Sequence, residues 1–251
     1  MLTSQRKKII LEKLAQDGQV LAKQLSEMFG LSEDTLRRDL RELDSEGLLQ
    51  RVHGGALPVS PAIATFAERN GQESAAKRAI AKAAAAMITP GQVVILDGGT
   101  TSAELVRQLP PALEATVVTH SPSVAVSLVD HPKVEVILIG GRLYKHSIVS
   151  VGAAAVEAMS HIRADIYFMG VTGVHPTAGL STGDLEEAYI KRALAARAAE
   201  TVVLASAAKL NAASQYAIGD ISMAQSIIVE RSTDVALTGP LEQAGLTVVR
   251  A

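Results

Sequence analysis

Apolar residues recur at helical spacing through the first 45 residues of the chain, and from Gly91 onward the spacing changes to short β-branched runs separated by helical stretches. The segment Ser4 to Gly18 carries Ile10, Leu11 and Leu14 on one face and stops at glycine; Leu21 to Gly30 repeats the plan. Ser32 then stands as an N-cap, its hydroxyl free to accept a backbone N–H, and Leu36, Leu40 and Leu43 form one apolar stripe. Asp34, Arg38 and Arg41 fall opposite that stripe at about 100° per residue, with Thr35 and Arg37 on its flanks. One face packs and the other presents cations, the plan of a helix-turn-helix.

Two short apolar segments flank the turn signal His53-Gly54-Gly55 within Gly47 to Val59 and predict a two-stranded wing, so the first unit reads as a winged helix. Pro58, Pro61, Asn70 and Gly71 mark a composition shift that divides the chain into residues 1–57, a linker over 58–73, and a second domain over 74–251. A helix is expected from about Ser74 to Met87. Beyond it, VVILD, TVVTH, VEVILIGG, ADIYFMG, TVVLASA and SIIVE alternate with helical stretches such as TTSAELVRQL, PSVAVSLVD and EEAYIKRALAARA. Continuous apolar strands alternating with helices predict a mostly parallel sheet covered on both faces, an α/β, Rossmann-like domain.

Charge complicates the picture of the first unit. Through Leu57 the nine cations (Arg6, Lys7, Lys8, Lys13, Lys23, Arg37, Arg38, Arg41, Arg51) are matched by nine acids (Glu12, Asp17, Glu27, Glu33, Asp34, Asp39, Glu42, Asp44, Glu46). Affinity for DNA must therefore come from charge segregated onto one face, or from a dimer that doubles the contacts. The whole chain is 251 residues, 48% hydrophobic with a formal charge of −2, which excludes a generally basic coat. The absence of cysteine excludes disulfides and thiolate zinc sites, and the six histidines show no paired metal-ligand spacing, so no metal and no cofactor is expected. With seven aromatics and no tryptophan, a base-stacking platform for single strands is not expected. No apolar run approaches the ~20 residues of a membrane span, and a soluble, cytoplasmic protein is expected.

In open parallel sheets ligands bind beyond the carboxyl ends of the strands. The sharpest candidate there is Asp97-Gly98-Gly99-Thr100-Thr101, which ends VVIL and opens a helix: glycines allow close approach, hydroxyls can donate, and the helix N-terminus supplies free N–H groups. Such a loop suits an anion, and it matches neither a Walker A loop nor a dinucleotide fingerprint. Other strand ends add His120 and Ser121, Gly140 and Gly141, Gly170, and Lys209 as a point charge for phosphate. Glu186 and Glu187 fit ordinary first-turn acids of a helix, with Lys191 and one glutamate as candidate polar lining.

The motifs LSEDTLRRDLRELDSEGLLQRVHGGA, ILDGGTT, VVTHSPSVA, LIGGRLY and GLSTGDLEEAYIKRA together resemble those of the DeoR family of bacterial transcriptional regulators, over nearly the whole chain. The resemblance implies dimeric or tetrameric repressors of double-stranded DNA operators, released when a phosphorylated sugar or related metabolite occupies a C-terminal domain similar to ribose-5-phosphate isomerase and CoA-transferase-like proteins. It implies Ser32, Thr35, Arg37 and Arg38 on the recognition helix and Arg51 and His53 on the wing; Arg41 on the polar face of that helix and Arg6 near the chain start are expected as further DNA contacts. It also implies a phosphate loop at Asp97 to Thr101, with Glu187, Lys191 and Lys209 at the effector. Where isomerase-like chains commonly carry a Gly-x-Asp-Gly-Ile-Asp strand end, this chain has Gly170-Val171-Thr172-Gly173-Val174-His175. Without those carboxylates no base stands at a sugar carbon, which disfavours the alternative of a sugar-phosphate isomerase or transferase with a regulatory N-terminal domain, and Thr172 becomes a candidate for effector contact.

Overall fold

A computed structural model describes residues 2–59 and 75–251 of the chain. The expected linker lies mostly outside the described residues.

Three helices build the first unit: α1 (Thr3–Asp17), α2 (Ala22–Phe29) and α3 (Glu33–Ser45). Gly18 and Gly30 end α1 and α2 in left-handed conformations at φ 72° and 65°. Ser32 caps α3 as expected, accepting the amide of Thr35. Ile10, Leu14, Leu25, Leu36, Leu40 and Leu43 are buried together, the stripe that the periodicity predicted. The wing is the antiparallel pair β2 (Gln50–Val52) and β3 (Gly55–Leu57). The periodicity did not show a third strand, β1 (Val20–Leu21), which pairs with β3 and is two residues long. At Gly55 a Cβ would stand 1.9 Å from the Val20 carbonyl oxygen, so this close crossing requires glycine.

The second unit begins with α4 (Ala75–Ala86) and continues as strand–helix repeats: β4 (Val93–Leu96), α5 (Thr100–Arg107), β5 (Ala115–Thr119), α6 (Pro122–Ser127) and β6 (Val134–Leu138). A hairpin, β7 (Arg142–Tyr144) and β8 (Val149–Val151), precedes α7 (Ala153–Met159) and β9 (Ala164–Gly170). Then come β10 (Gly173–His175), β11 (Gly179–Thr182), α8 (Leu185–Ala195), β12 (Ala198–Leu204), β13 (Tyr216–Gly219), β14 (Ser226–Val229), α9 (Val235–Gln243) and β15 (Thr247–Arg250).

Seven strands form one sheet in the order β15-β14-β12-β9-β4-β5-β6, and every neighbouring pair is parallel. Alternation along the central strands divides the core: Val94, Leu96 and Phe168 pack with α4, α5 and α6, whereas Ile95, Tyr167 and Met169 pack with α7, α8 and α9. Both faces are covered, as the unbroken apolar runs required. The β7–β8 hairpin and the antiparallel set β10-β11-β13 lie outside that sheet and escaped the sequence pattern, because strands of three or four residues between turns carry almost no periodicity.

Candidate functional site

Two surfaces carry candidate function, one on the winged helix and one at the carboxyl ends of the parallel strands.

On the winged helix the neutral total charge resolves into pairs. Lys7 bridges Glu42 and Glu46, Lys8 faces Glu12, Lys13 faces Asp17, and Arg37 bridges Glu33 and Asp34. Arg6 is buried, with 5% of its surface exposed, and its guanidinium donates from Nη2 to Asp39 Oδ1 at 2.9 Å and from Nε to Asp39 Oδ2. The Asp39 carboxylate holds that guanidinium above its ordinary pKa against the opposing effect of burial. Arg6 is therefore withdrawn from the DNA-contacting set: it ties α1 to α3 inside the domain. Among the described residues, Lys23, Arg38, Arg41 and Arg51 remain as winged-helix cations in no ion pair, and the last three lie exposed on α3 and the wing. Ser32 and His53 are exposed and Thr35 is half-buried, its hydroxyl 3.0 Å from that of Ser32. Charge is segregated by pairing the other cations, so a neutral domain presents a basic face.

The second surface is a cavity of about 360 Å³ at the strand ends, lined in part by Gly98, Gly99, Thr100, Thr101 and Ser102, by Gly170 and Thr172, by Glu187 and Lys191 from α8, and by Lys209. Gly99 caps α5 at φ 105°, a conformation suited to glycine, and the first intrahelical bond runs from the Ala103 amide to the Gly99 carbonyl. The amides of Thr100, Thr101 and Ser102 therefore lack helical partners and carry the positive end of the helix. Gly98 is required for another reason: a Cβ there would stand 2.2 Å from Val149 Cγ1.

Asp97 lies beneath this floor and does not line the cavity. It is fully buried and joins four elements: its Oδ1 accepts from the Gly98 amide at 2.8 Å and from His120 Nε2 at 2.9 Å, and its Oδ2 accepts from the Gly170 amide at 2.8 Å and from Lys191 Nζ. Burial alone would raise the Asp97 pKa, but the Lys191 ammonium and the His120 ring hold it far below the ordinary carboxylate range. His120 is buried as well, with Nδ1 on the Ser150 carbonyl at 3.0 Å, so both ring nitrogens face acceptors. Tyr167, fully buried near Asp97 with its hydroxyl unpaired among the described residues, is kept protonated by burial and by the charge of Asp97. Glu187 is 7% exposed and accepts from the Thr182 hydroxyl at 3.1 Å.

Several candidates from the sequence thus move behind the cavity wall. Asp97 and His120 form its support, and Ser121 is buried with its hydroxyl donating to the Ile148 carbonyl. Gly140 and Gly141 do not line the cavity; a Cβ on Gly141 would come within 2.9 Å of the Val151 carbonyl, so it serves the entry to β7. Thr172 stays at the cavity, its hydroxyl 2.7 Å from that of Ser214. His175 is buried away from the cavity, accepts the amides of Thr177 and Ala178 at 3.2 Å, and has its pKa lowered by burial. Sequence reading missed Tyr144, His146 and Ser147 of the β7–β8 hairpin, the Ala213 to Gln215 segment, four winged-helix residues (Asp44, Gly47, Leu49 and Gln50), and Val59 just past the wing. The LIGGRLY motif was the available signal for the hairpin.

Residues 6–62 match the DeoR-like helix-turn-helix domain and residues 72–231 match the DeoR C terminal sensor domain. The chain belongs to the DeoR family. Similar proteins include the HTH-type transcriptional regulator GlpR of Haloferax volcanii, 34% identical with 99% of this chain and 98% of that one aligned. The putative aga operon transcriptional repressor of Escherichia coli O157:H7 is 32% identical over 98% of this chain and 93% of its own length, and the glycerol-3-phosphate regulon repressor of Escherichia coli K12 is 29% identical over 94% of each. Among solved structures, ribose 5-phosphate isomerase A of Methanocaldococcus jannaschii is 20% identical over 53% of this chain and 52% of that chain, with a TM-score of 0.40. This DeoR-family protein is a DNA-binding transcriptional regulator with a small-molecule sensor domain, and it is not an enzyme. Among the described residues no helix is long and apolar enough to cross a membrane.

Proposed function

We propose that this DeoR-family regulator is a repressor of a carbohydrate-catabolism operon, that it binds its operator as a homodimer or homotetramer, and that its effector is a phosphorylated sugar or related metabolite seated in the strand-end cavity. The observation that carries this reading is the chemistry of the cavity. Unpaired amides at the start of α5, together with Lys191 and Lys209, line a space of about 360 Å³, a volume suited to a small phosphorylated metabolite. The relatives named for an aga operon and a glycerol-3-phosphate regulon support the carbohydrate assignment.

Arg38 and Arg41 supply base-edge and phosphate contacts from the recognition helix, with Arg51 and His53 on the wing; Arg37, already bridged to Glu33 and Asp34, contributes at the flank. Two half-sites bound by a dimer double these few cationic contacts.

The test uses the full chain and an operator selected from random duplex DNA. Arg38→Ala is expected to weaken specific binding by about 1–3 kcal/mol while leaving effector binding intact; unchanged operator affinity would remove the recognition-helix assignment. Melting of the protein is followed with phosphorylated sugars, sugar acids and polyols. A phosphorylated ligand whose shift is lost in both Thr100→Ala and Lys209→Ala supports the anion reading, and a non-phosphorylated ligand indifferent to both overturns it.

A further inference from the structure

We propose that the effector site is shared by the two domains, and that Asp44 and Gln50 of the winged helix touch the bound effector and select a phosphorylated polyol over a bare anion. This rests on the reading of the cavity given above. The cavity has two walls of different chemistry. The sensor wall carries the unpaired amides of α5, Lys191 and Lys209, the Glu187 carboxylate that accepts from the Thr182 hydroxyl, and Thr100, which is 8% exposed and makes no side-chain hydrogen bond among the described residues. A second part of the lining comes from the winged helix, where Asp44 at the end of α3 and Gln50 at the start of β2 line the same space. Val59, just past the wing, forms an isolated parallel bridge with Ala213 of the sensor wall.

The winged-helix wall offers a carboxylate and a carboxamide to the cavity, and no cation. An anionic group is repelled there and seats at the sensor wall, so whatever faces Asp44 and Gln50 must be neutral and able to donate hydrogen bonds. Hydroxyl groups meet both conditions, and a phosphorylated polyol carries phosphate at one end and hydroxyls along the rest. Asp44 also has a second attachment: its Oδ1 accepts from the Arg51 amide at 3.0 Å and so ties the end of the recognition helix to the wing. Its other oxygen makes no hydrogen bond among the described residues. A ligand hydroxyl at Asp44 therefore touches the residue that ties the Arg51 backbone to the end of the recognition helix, and effector binding is coupled to the wing through that residue.

Calorimetric titration of the full chain with inorganic phosphate, sn-glycerol 3-phosphate and fructose 1-phosphate tests the selection. Gln50→Ala and Asp44→Asn are expected to weaken a polyol phosphate by about three- to tenfold, the range for one hydrogen bond, and neither is expected to weaken inorganic phosphate. Equal affinity of wild type and both variants for every polyol phosphate that binds overturns the shared site while the anion reading stands. If the wild type binds none of the three, the anion reading falls and the shared site falls with it. A second measurement needs no ligand. The chain has no cysteine, so Gln50→Cys provides a single thiol for a bimane label whose emission a nearby tyrosine quenches, and Tyr144 lines the same cavity. Brighter emission on adding Tyr144→Leu supports the shared wall; unchanged emission places the winged helix elsewhere and overturns it.

Discussion

Each domain buries a cluster of opposite charges, and the two clusters differ in what they border. In the winged helix, Arg6 and Asp39 satisfy one another in a closed pair with 5% and 1% of their surfaces exposed, away from the cavity and from the basic face. In the sensor domain, Asp97 gathers His120, Lys191 and two backbone amides, and one of its partners, Lys191, also lines the cavity. A buried ion pair is weak evidence for net stabilisation, because desolvation offsets most of the Coulombic gain. Arg6–Asp39 serves to hold two helices in register, whereas the Asp97 cluster holds a lysine at the edge of a binding site. A buried charge is informative about function when one member of its cluster keeps a face on open space.

Asp97→Ala should have the largest effect, since it leaves the Lys191 ammonium, His120 and two amides without their acceptor; a loss of about 4–5 kcal/mol, near the upper end for a broken buried pair, is expected in urea unfolding at pH 7. Asp39→Ala should cost about 3 kcal/mol by leaving Arg6 buried and unpaired, and the double change Arg6→Met with Asp39→Leu should restore most of it with operator affinity retained. A double variant that folds but no longer binds operator would return Arg6 to the interface.

An acid titration sharpens the contrast further. The folded-state pKa of Asp97 is depressed, so its contribution is fully present above the unfolded carboxylate value of about 3.9 and is lost as pH falls below it. The stability gap between wild type and Asp97→Asn should accordingly narrow between about pH 5 and pH 2; a gap independent of pH would mean that the carboxylate gains nothing from its partners. The smallest effect belongs to an exposed polar contact: Ser32→Ala removes the cap of α3 and should cost about 1 kcal/mol, read from the urea midpoint.

The helical stripes, the Ser32 cap, the wing and the alternating strands were legible in the sequence because each is a local pattern of spacing. The site was legible only in part. Thr100, Thr101, Glu187, Lys191 and Lys209 were found from strand ends and helix starts, and they do meet at one cavity. Asp97, His120 and Arg6 carried the same signature, a polar residue at a promising position, yet each lies buried against a partner at least 23 positions away in the chain. No periodicity encodes such a pairing.

Legible along the chain were therefore the main helices, the wing, the parallel strands and the family, since these follow from short-range spacing and from motifs read in order. Tertiary packing settled which charges face solvent, which strand-end residues form the cavity and which support it, and that Asp44 and Gln50 of the winged helix line the same cavity as the start of α5. The physical reason is that burial and electrostatic pairing depend on distances between segments remote in sequence, and those distances are fixed only when the sheet order and the docking of the two domains are set.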